Sequence, residues 1–287
     1  MIKKTNILVA IGMAGLFAIS CADTAKKTET VVNEIVTAVK KAPAYDAQNP
    51  QSILANVEFA QGGWDDLYGK KDVQYTYDYR YPDNTADVST ERYMFSNEAS
   101  YAVYSQNDIN AMPGTEGKVE QYFDGKNAHA MVDGKELKDP AAIGGADFLR
   151  RANYFWFVMP YKLNDNGTIL KSMGQEDYNG TTYDKVSVTY DSAITGKEQN
   201  DSYILYVNPA TKMIDRFFFS LPAMGVNVPA IAANYEYTDI DGQKLATKRT
   251  YFMPNAQGEY NEEVPSIVQT LTDVTFNNGF TAETIMK

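Results

Sequence analysis

Residues 201–221 predict a β-hairpin whose arms are apolar on both faces, and this stretch constrains the fold more than any other. Two runs rich in β-branched and aromatic residues, 203–207 and 213–219, flank residues 208–212 (NPATK), where the proline presets φ for a turn. Successive side chains of a strand point to opposite faces, so each arm carries apolar groups on both. Such strands are usually covered on both faces. We therefore expect this hairpin to lie centrally, with other elements folded around it.

The rest of the domain predicts a helix, a long antiparallel meander and one helical insertion. Asn49-Pro50 is a typical helix start, and Gly62-Gly63 is a typical end. From Val73 to Tyr81 aromatic and polar residues alternate, which predicts a strand whose polar face meets water. Asp139-Pro140 begins the insertion, which we expect to end near residue 155. Further strands are predicted at residues 91–95, 100–104, 118–123, 128–132, 168–173, 183–190, 232–238, 245–253 and 267–276.

The N-terminus predicts a lipoprotein signal peptide over residues 1–20. Positive residues 1–4 precede an apolar run at 7–19, which is shorter than the ~20 residues that a membrane-spanning helix needs. Small residues at positions 18 and 20 precede Cys21, as in a bacterial lipobox, so we expect Cys21 to carry lipid. The alternative is an ordinary signal peptide followed by a chance cysteine.

Two further segments follow the signal peptide. Residues 21–48 are expected to form a lipid-anchored spacer, and residues 49–287 a single domain; alternatively, a helix within the spacer packs on the domain. Ala22 stands where an aspartate argues, in some bacteria, for retention in the inner membrane. We therefore expect a cell-envelope location with the anchor in the outer membrane.

Composition narrows the classes of function. The formal net charge of −11 argues against a nucleic-acid partner and against electrostatic docking on anionic lipid. One cysteine and one histidine leave no ligands for a disulfide framework or a multi-histidine metal site, and no phosphate-binding loop occurs, so we expect no cofactor. His129 is interpreted as a strand histidine, and residues 239–242 (DIDG) as a turn. The acid pairs 65–66 and 262–263 leave a carboxylate hydrolase open as a minor alternative.

Several motifs together resemble a known group of proteins. They are Gly62-Gly63-Trp64 after the first helix, the Asn208-Pro209-x-Thr211 hairpin ending in Arg216-Phe217, and Phe276-Asn277-Asn278-Gly279-Phe280 near the end. They are similar to those of the lipoprotein-sorting LolA/LolB-like proteins with the lipid carrier LppX, and more closely to a Bacteroidetes envelope lipoprotein family of uncharacterised function. The resemblance covers about Pro50 to the C-terminus. It implies a mostly β (α+β) fold: a half-open antiparallel barrel whose helices cover an apolar concave face, used in relatives for acyl chains.

The resemblance and the apolar runs together give a hypothesis of function. We expect a non-enzymatic, membrane-anchored lipoprotein that binds a lipid or other apolar small molecule in the half-barrel. The alternative is a subunit of an envelope complex that binds a protein partner through its tyrosine-rich strands, since tyrosine is favoured at interfaces. The candidate lining residues combine large apolar area with the hairpin and the helical insertion, and they are Phe155, Trp156, Phe157, Phe217 and Phe219.

Overall fold

The computed structural model describes residues 41–287, so the predicted signal peptide, Cys21 and most of the predicted spacer lie outside the described residues. The helices are α1 Pro50–Gln61, α2 Trp64–Gly69, α3 Pro140–Lys162 and α4 Ser192–Thr195, with a 3₁₀ turn at Pro222–Met224. The first strands are β1 Asp72–Arg80, β2 Ala86–Met94, β3 Ser100–Asn107, β4 Val119–Phe123, β5 Ala128–Val132 and β6 Lys135–Glu136. The later strands are β7 Thr168–Tyr178, β8 Thr181–Tyr190, β9 Tyr203–Val207, β10 Ile214–Leu221, β11 Val226–Ile240, β12 Gln243–Phe252 and β13 Ile267–Phe276.

Within these residues, thirteen strands form one antiparallel sheet in the order β6-β5-β4-β3-β2-β1-β13-β12-β11-β10-β9-β8-β7. It consists of two meanders, β1–β6 and β7–β13, which meet where Tyr77 of β1 lies opposite Leu271 of β13. Helix α3 connects the last strand of the first meander to the first strand of the second. Because β6 and β7 stay unpaired to each other, the sheet is open. The predicted fold class, an open antiparallel meander with a few helices, is confirmed.

The sheet curves around α3. Arg150 of α3 forms an ion pair with Glu91 of β2, whereas the ring of Trp156 lies 5.0 Å from that of Phe219 on β10. Six residues of a helix turn through about 600°, so these two side chains leave the helix in directions roughly 120° apart. A flat sheet would lie on one side of the helix only. The strands on both sides of α3 therefore form a concave face, with the helix inside it.

The hairpin β9–β10 is covered on both faces, as its sequence predicts, but its predicted central position is wrong. Its inner face, with Phe217, belongs to the main core beneath α1 and α3. On its outer face Arg216 lies 4.4 Å from the ring of Tyr178, and Phe218 lies 5.5 Å from the ring of Tyr260 in the loop 253–266. The hairpin is third and fourth from one edge of the sheet. The outer face of the hairpin is therefore apolar because the loop 253–266 covers it.

Two helical segments differ from the prediction. Trp64–Gly69 follows the predicted end of the first helix and forms an additional helix, α2, whose first turn carries Asp65 and Asp66 near the positive end of the helix dipole. Helix α3 continues past the expected end near residue 155 through Pro160 to Lys162. A proline inside a helix costs a backbone hydrogen bond. Here Pro160 lies in the last turn, next to fully buried Met159, and burial of this turn offsets the lost bond.

The C-terminal residues form a lid on the outer face of the first meander. The Asp72 carboxylate accepts backbone N–H bonds from Asn278 at 2.7 Å, Gly279 at 2.9 Å and Phe280 at 3.1 Å. This holds the turn that leads to Ile285, which is fully buried against β3 and β5. The motif at residues 276–280 therefore has a structural role in closing the outer face.

The described end of the predicted spacer contacts the domain. The Tyr45 hydroxyl donates a hydrogen bond to Asp184, and the Lys212 ammonium lies 3.3 Å from the centroid of the Tyr45 ring. Tyr45 thus packs the described residues 41–48 against the second meander. Of the helices within residues 41–287, none combines the length and hydropathy that crossing a bilayer requires.

Candidate ligand-binding cavity

A cavity of about 940 Å³ lies between α3 and the concave face of the sheet. One face of the helix forms its roof, with Gly144, Phe148, Ala152 and Phe155 following one another at intervals of four, four and three residues. That spacing places the four residues on one side of an α-helix. The cavity is within the usual range for small-molecule sites, about 300–1,000 Å³.

The opposite wall is made by inward-facing residues of eight strands, β1–β3 and β9–β13. Because side chains alternate along each strand, every second residue reaches the cavity. The wall is mostly apolar or aromatic, and its main members are Tyr77, Tyr79, Tyr203, Phe219, Leu221, Val226, Ile231, Tyr251 and Ile267. It therefore suits a ligand whose surface is largely apolar.

Large apolar side chains remain exposed where the cavity opens to solvent. Phe148 is 44% exposed, Met224 69% and Met253 46%, and all three line the cavity. Charged groups near the opening form ion pairs, as Arg151 does with Asp147 at 2.8 Å. This opening offers apolar contact to an entering molecule.

The structure separates the five predicted lining residues into two groups. Phe155, Trp156 and Phe219 line the cavity. Phe217 is fully buried behind them, with its ring 6.1 Å from that of Trp156. Phe157 lies about 200° around the helix from Phe155 and stacks on Tyr75 of β1 at 5.3 Å, in a second core cluster. Three of the five predicted residues therefore line the cavity.

Sequence reasoning missed the polar side of the cavity, which lies on β1, β12 and β13. Tyr77 and Tyr79 face inwards, and the Tyr251 hydroxyl donates to Gln269 at 3.0 Å. Burial raises the pKa of the Tyr77 and Tyr79 hydroxyls, so both stay protonated and can donate hydrogen bonds at neutral pH. The alternation of tyrosines in β1 was the available signal. It predicted the strand correctly but did not show which face would line a cavity.

A buried ion pair fixes α3 on the sheet beside the cavity. Glu91 and Arg150 are both 0% exposed, and the guanidinium donates to both carboxylate oxygens, Nη2 to Oε1 at 3.0 Å. Ser89 and Tyr93 donate to the same carboxylate at 2.8 and 2.6 Å. Burial alone would raise the pKa of Glu91, but the Arg150 charge and these hydrogen bonds outweigh it and hold that pKa below its usual range.

The tyrosines of β1 and β2 face mainly the core and the cavity. Tyr75 is 2% exposed, Tyr77 6% and Tyr93 0%, because these rings form the core beneath α3. Tyr79 is half-buried and lines the cavity. In this position the tyrosines serve packing and the cavity wall.

The other candidate catalytic or metal-binding residues in the sequence do not line the cavity. Asp65 and Asp66 are exposed on α2, and Glu262 in the loop 253–266 lies 2.8 Å from Arg216. His129 lies on β5, as predicted, with its Nδ1 2.8 Å from Glu136. Residues 239–242 form the turn between β11 and β12, also as predicted. Across residues 41–287, no group of three or more His, Cys, Asp or Glu side chains is arranged to hold a metal ion.

Comparisons with known proteins give a partial family match and distant structural likenesses. The model of a family of unknown function (DUF6503) matches residues 110–228. No curated protein sequence matches the chain. A DUF1329 family protein from Desulfovibrio piger is 10% identical, with a TM-score of 0.49, covering 84% of this chain and 98% of that one.

Two further solved structures are similar in coverage. A LolA superfamily protein from Nitrosomonas europaea is 14% identical, with a TM-score of 0.47, covering 83% of this chain and 97% of its own. The lipoprotein LppX from Mycobacterium tuberculosis is 13% identical, with a TM-score of 0.31, covering 82% and 100% of the two chains.

Proposed function

We propose that this chain is a Bacteroidetes-type envelope lipoprotein that binds a lipid or other apolar ligand between α3 and the curved sheet. The observation that carries the proposal is the cavity of about 940 Å³, with Phe155, Trp156 and Phe219 in its walls. Its exposed apolar opening supports entry of a molecule from a membrane or a carrier.

The apolar walls can supply enough free energy for specific binding. Each buried methylene contributes about 0.8 kcal/mol, so an acyl chain that buries about fifteen of them gains roughly 12 kcal/mol, from which association costs of about 4 kcal/mol or more are subtracted. A net gain of about 8 kcal/mol corresponds to a dissociation constant near 1 μM. Contacts of the chain alone therefore give at most micromolar affinity.

Filling part of the cavity is expected to weaken ligand binding without unfolding the domain. In Ala152→Phe the new ring projects from the α3 face that lines the cavity, where it takes the ligand's place. Overpacking costs about 1–3 kcal/mol, so uptake of a fluorescent fatty acid should weaken roughly tenfold or more. The matched control is Ala141→Phe, at an exposed position of the same helix. Equal uptake by both variants, with equal melting temperatures, would place the ligand elsewhere.

The anchor in this proposal is a lipid on Cys21, in the outer membrane. Two or more acyl chains make such anchoring stable, and the anchor is separate from the domain that begins near residue 49. Cys21→Ser is therefore expected to leave the domain folded and to move the chain from the membrane fraction to the soluble periplasmic fraction. Persistence of the variant in the membrane fraction would contradict the anchor.

A further inference from the structure

Arg249 is a buried cation that has no carboxylate partner among the described residues. It lies on the concave face of β12 and is 3% exposed. Its Nε donates to the Ala246 carbonyl at 3.2 Å, and no acidic side chain within residues 41–287 comes within 4.0 Å of the guanidinium. Burying a charge is costly unless it is paired and hydrogen-bonded. The position is therefore unusual in a folded domain.

The other two buried arginines of the domain each form an ion pair with an acidic side chain. Arg150 is 0% exposed and binds the Glu91 carboxylate through two nitrogens, and Arg216 is 3% exposed and lies 2.8 Å from Glu262. Arg249 has comparable burial and lacks the acid.

A hydroxyl without an acceptor lies beside Arg249. The Tyr235 ring lies 5.5 Å from the guanidinium, and the buried Tyr235 hydroxyl finds no hydrogen-bond partner of acceptable geometry within the described chain. Gln269, directly across the β12–β13 pair, already accepts the bond from Tyr251. Tyr75 and Tyr77 of β1 are close enough to interact electrostatically with the guanidinium, and neither carries a negative charge at neutral pH. What this group of side chains lacks is an anionic acceptor.

This group lies at the inner end of the cavity. Tyr77, Tyr251 and Gln269 all line the cavity; Gln269 lies directly across from Arg249, Tyr251 follows it on the same face of β12, and Tyr77 is close enough to interact with it electrostatically. Asp87 is a buried acid that lines the cavity. Its carboxylate accepts hydrogen bonds from backbone N–H groups of a loop, including that of Asn110 at 2.7 Å. An oxyanion held where the three lining residues converge would meet the guanidinium behind them.

We propose that Arg249 anchors the anionic head of the cavity's ligand, which is an amphipathic oxyanion with a carboxylate or phosphate group and an apolar chain. The inference rests on the proposed function, because the chain of that ligand occupies the apolar cavity. The head lies between Tyr77 and Gln269, and the tail runs along α3 past Trp156 towards the opening at Phe148. A guanidinium suits this role because its fork of donors matches an oxyanion bidentately.

The test compares ligands that share a tail and differ in the head. Palmitate, hexadecyl phosphate and hexadecanol are titrated against the delipidated full-length protein by displacement of a fluorescent probe. We expect the two anions to bind roughly ten- to a hundredfold tighter than the alcohol, the range for a hydrogen bond to a charged group. Arg249→Met should remove this preference and leave the affinity for hexadecanol unchanged, whereas Arg249→Lys should keep part of it. The stronger of the two anions identifies the head as carboxylate or phosphate.

The outcomes separate the two proposals. Equal binding of palmitate and hexadecanol to the wild-type protein would overturn the role of Arg249 and leave the lipid-binding function standing. Absence of binding by all three ligands would overturn the lipid-binding function itself. A preference for anions that survives in Arg249→Met would also overturn the inference. Should that variant fail to fold, the wild-type comparison of palmitate with hexadecanol still decides.

Discussion

Replacing Arg150 by methionine is expected to destabilise the domain by about 3–5 kcal/mol, the usual cost of leaving a buried charge without its partner. Glu91 would remain 0% exposed, and its carboxylate would keep the hydrogen bonds from Ser89, Tyr93 and Asn153 but no positive charge. Chemical denaturation followed by circular dichroism measures the change. Because α3 is the roof of the cavity, loss of this pair should also loosen the ligand site.

Two controls separate the buried pair from general effects of substitution. Arg151→Met changes the next residue of α3, whose guanidinium is about half exposed and pairs with Asp147, and exposed pairs contribute about 0–1 kcal/mol. The double variant Glu91→Leu/Arg150→Met removes both buried charges, so it should be more stable than Arg150→Met alone. A similar loss in Arg150→Met and Arg151→Met would contradict the special role of the pair.

The same pair predicts a pH dependence of stability. The folded-state pKa of Glu91 lies below its unfolded value, so the pair contributes its full stability above about pH 4.3, the ordinary pKa of glutamate. The contribution is lost as the pH falls through the depressed folded-state pKa. The unfolding free energy of the wild type should therefore fall relative to that of the double variant in that acidic range.

Phe217→Ala is expected to destabilise the domain by about 3–5 kcal/mol, as truncation of a fully buried phenylalanine usually does. Its ring meets those of Tyr235 at 4.9 Å, Phe219 at 5.7 Å and Trp156 at 6.1 Å, so its removal leaves a void between α3 and the hairpin. Thermal or denaturant unfolding of the purified variant gives the change directly.

Phe148→Ala is the matched control for this second substitution. Phe148 is 44% exposed at the opening of the cavity, so we expect its truncation to change stability by less than about 1 kcal/mol. It should instead weaken uptake of an apolar ligand. A loss of stability as large as that of Phe217→Ala would mean that Phe148 is part of the core.

Individual strands of this fold could be predicted from local pattern. The alternation at residues 73–81 and the apolar run at 267–276 correspond to β1 and β13 almost residue for residue, because period-two patterning is a local property. The pairing of β1 with β13 joins Tyr77 to Leu271, nearly two hundred residues apart, and no local pattern shows it. The apolar residues on both faces of the hairpin at 201–221 likewise predict cover on both faces but do not fix its place in the strand order.

The candidate site was predictable only in part for a similar reason. The aromatic run at 155–157 is apparent in the sequence, but its position in a helix sends Phe155 to the cavity and Phe157 to the second core cluster. Arg249 and Tyr251 lie two residues apart in β12, so the sequence shows that they share one face of the strand. Its lack of an acid partner depends on which strands surround it, which only the folded chain shows.

Native mass spectrometry of the full-length protein, purified from a cell envelope without delipidation, tests the central claim most directly. We expect a mass that exceeds that of the processed, anchored chain by one lipid-sized ligand, and we expect organic extraction to remove this excess while a covalent lipid on Cys21 remains. Ala152→Phe, purified in parallel, should lack the extractable mass. A wild-type protein that carries no extractable ligand, and takes none up when offered palmitate, would contradict the proposal that this cavity binds lipid.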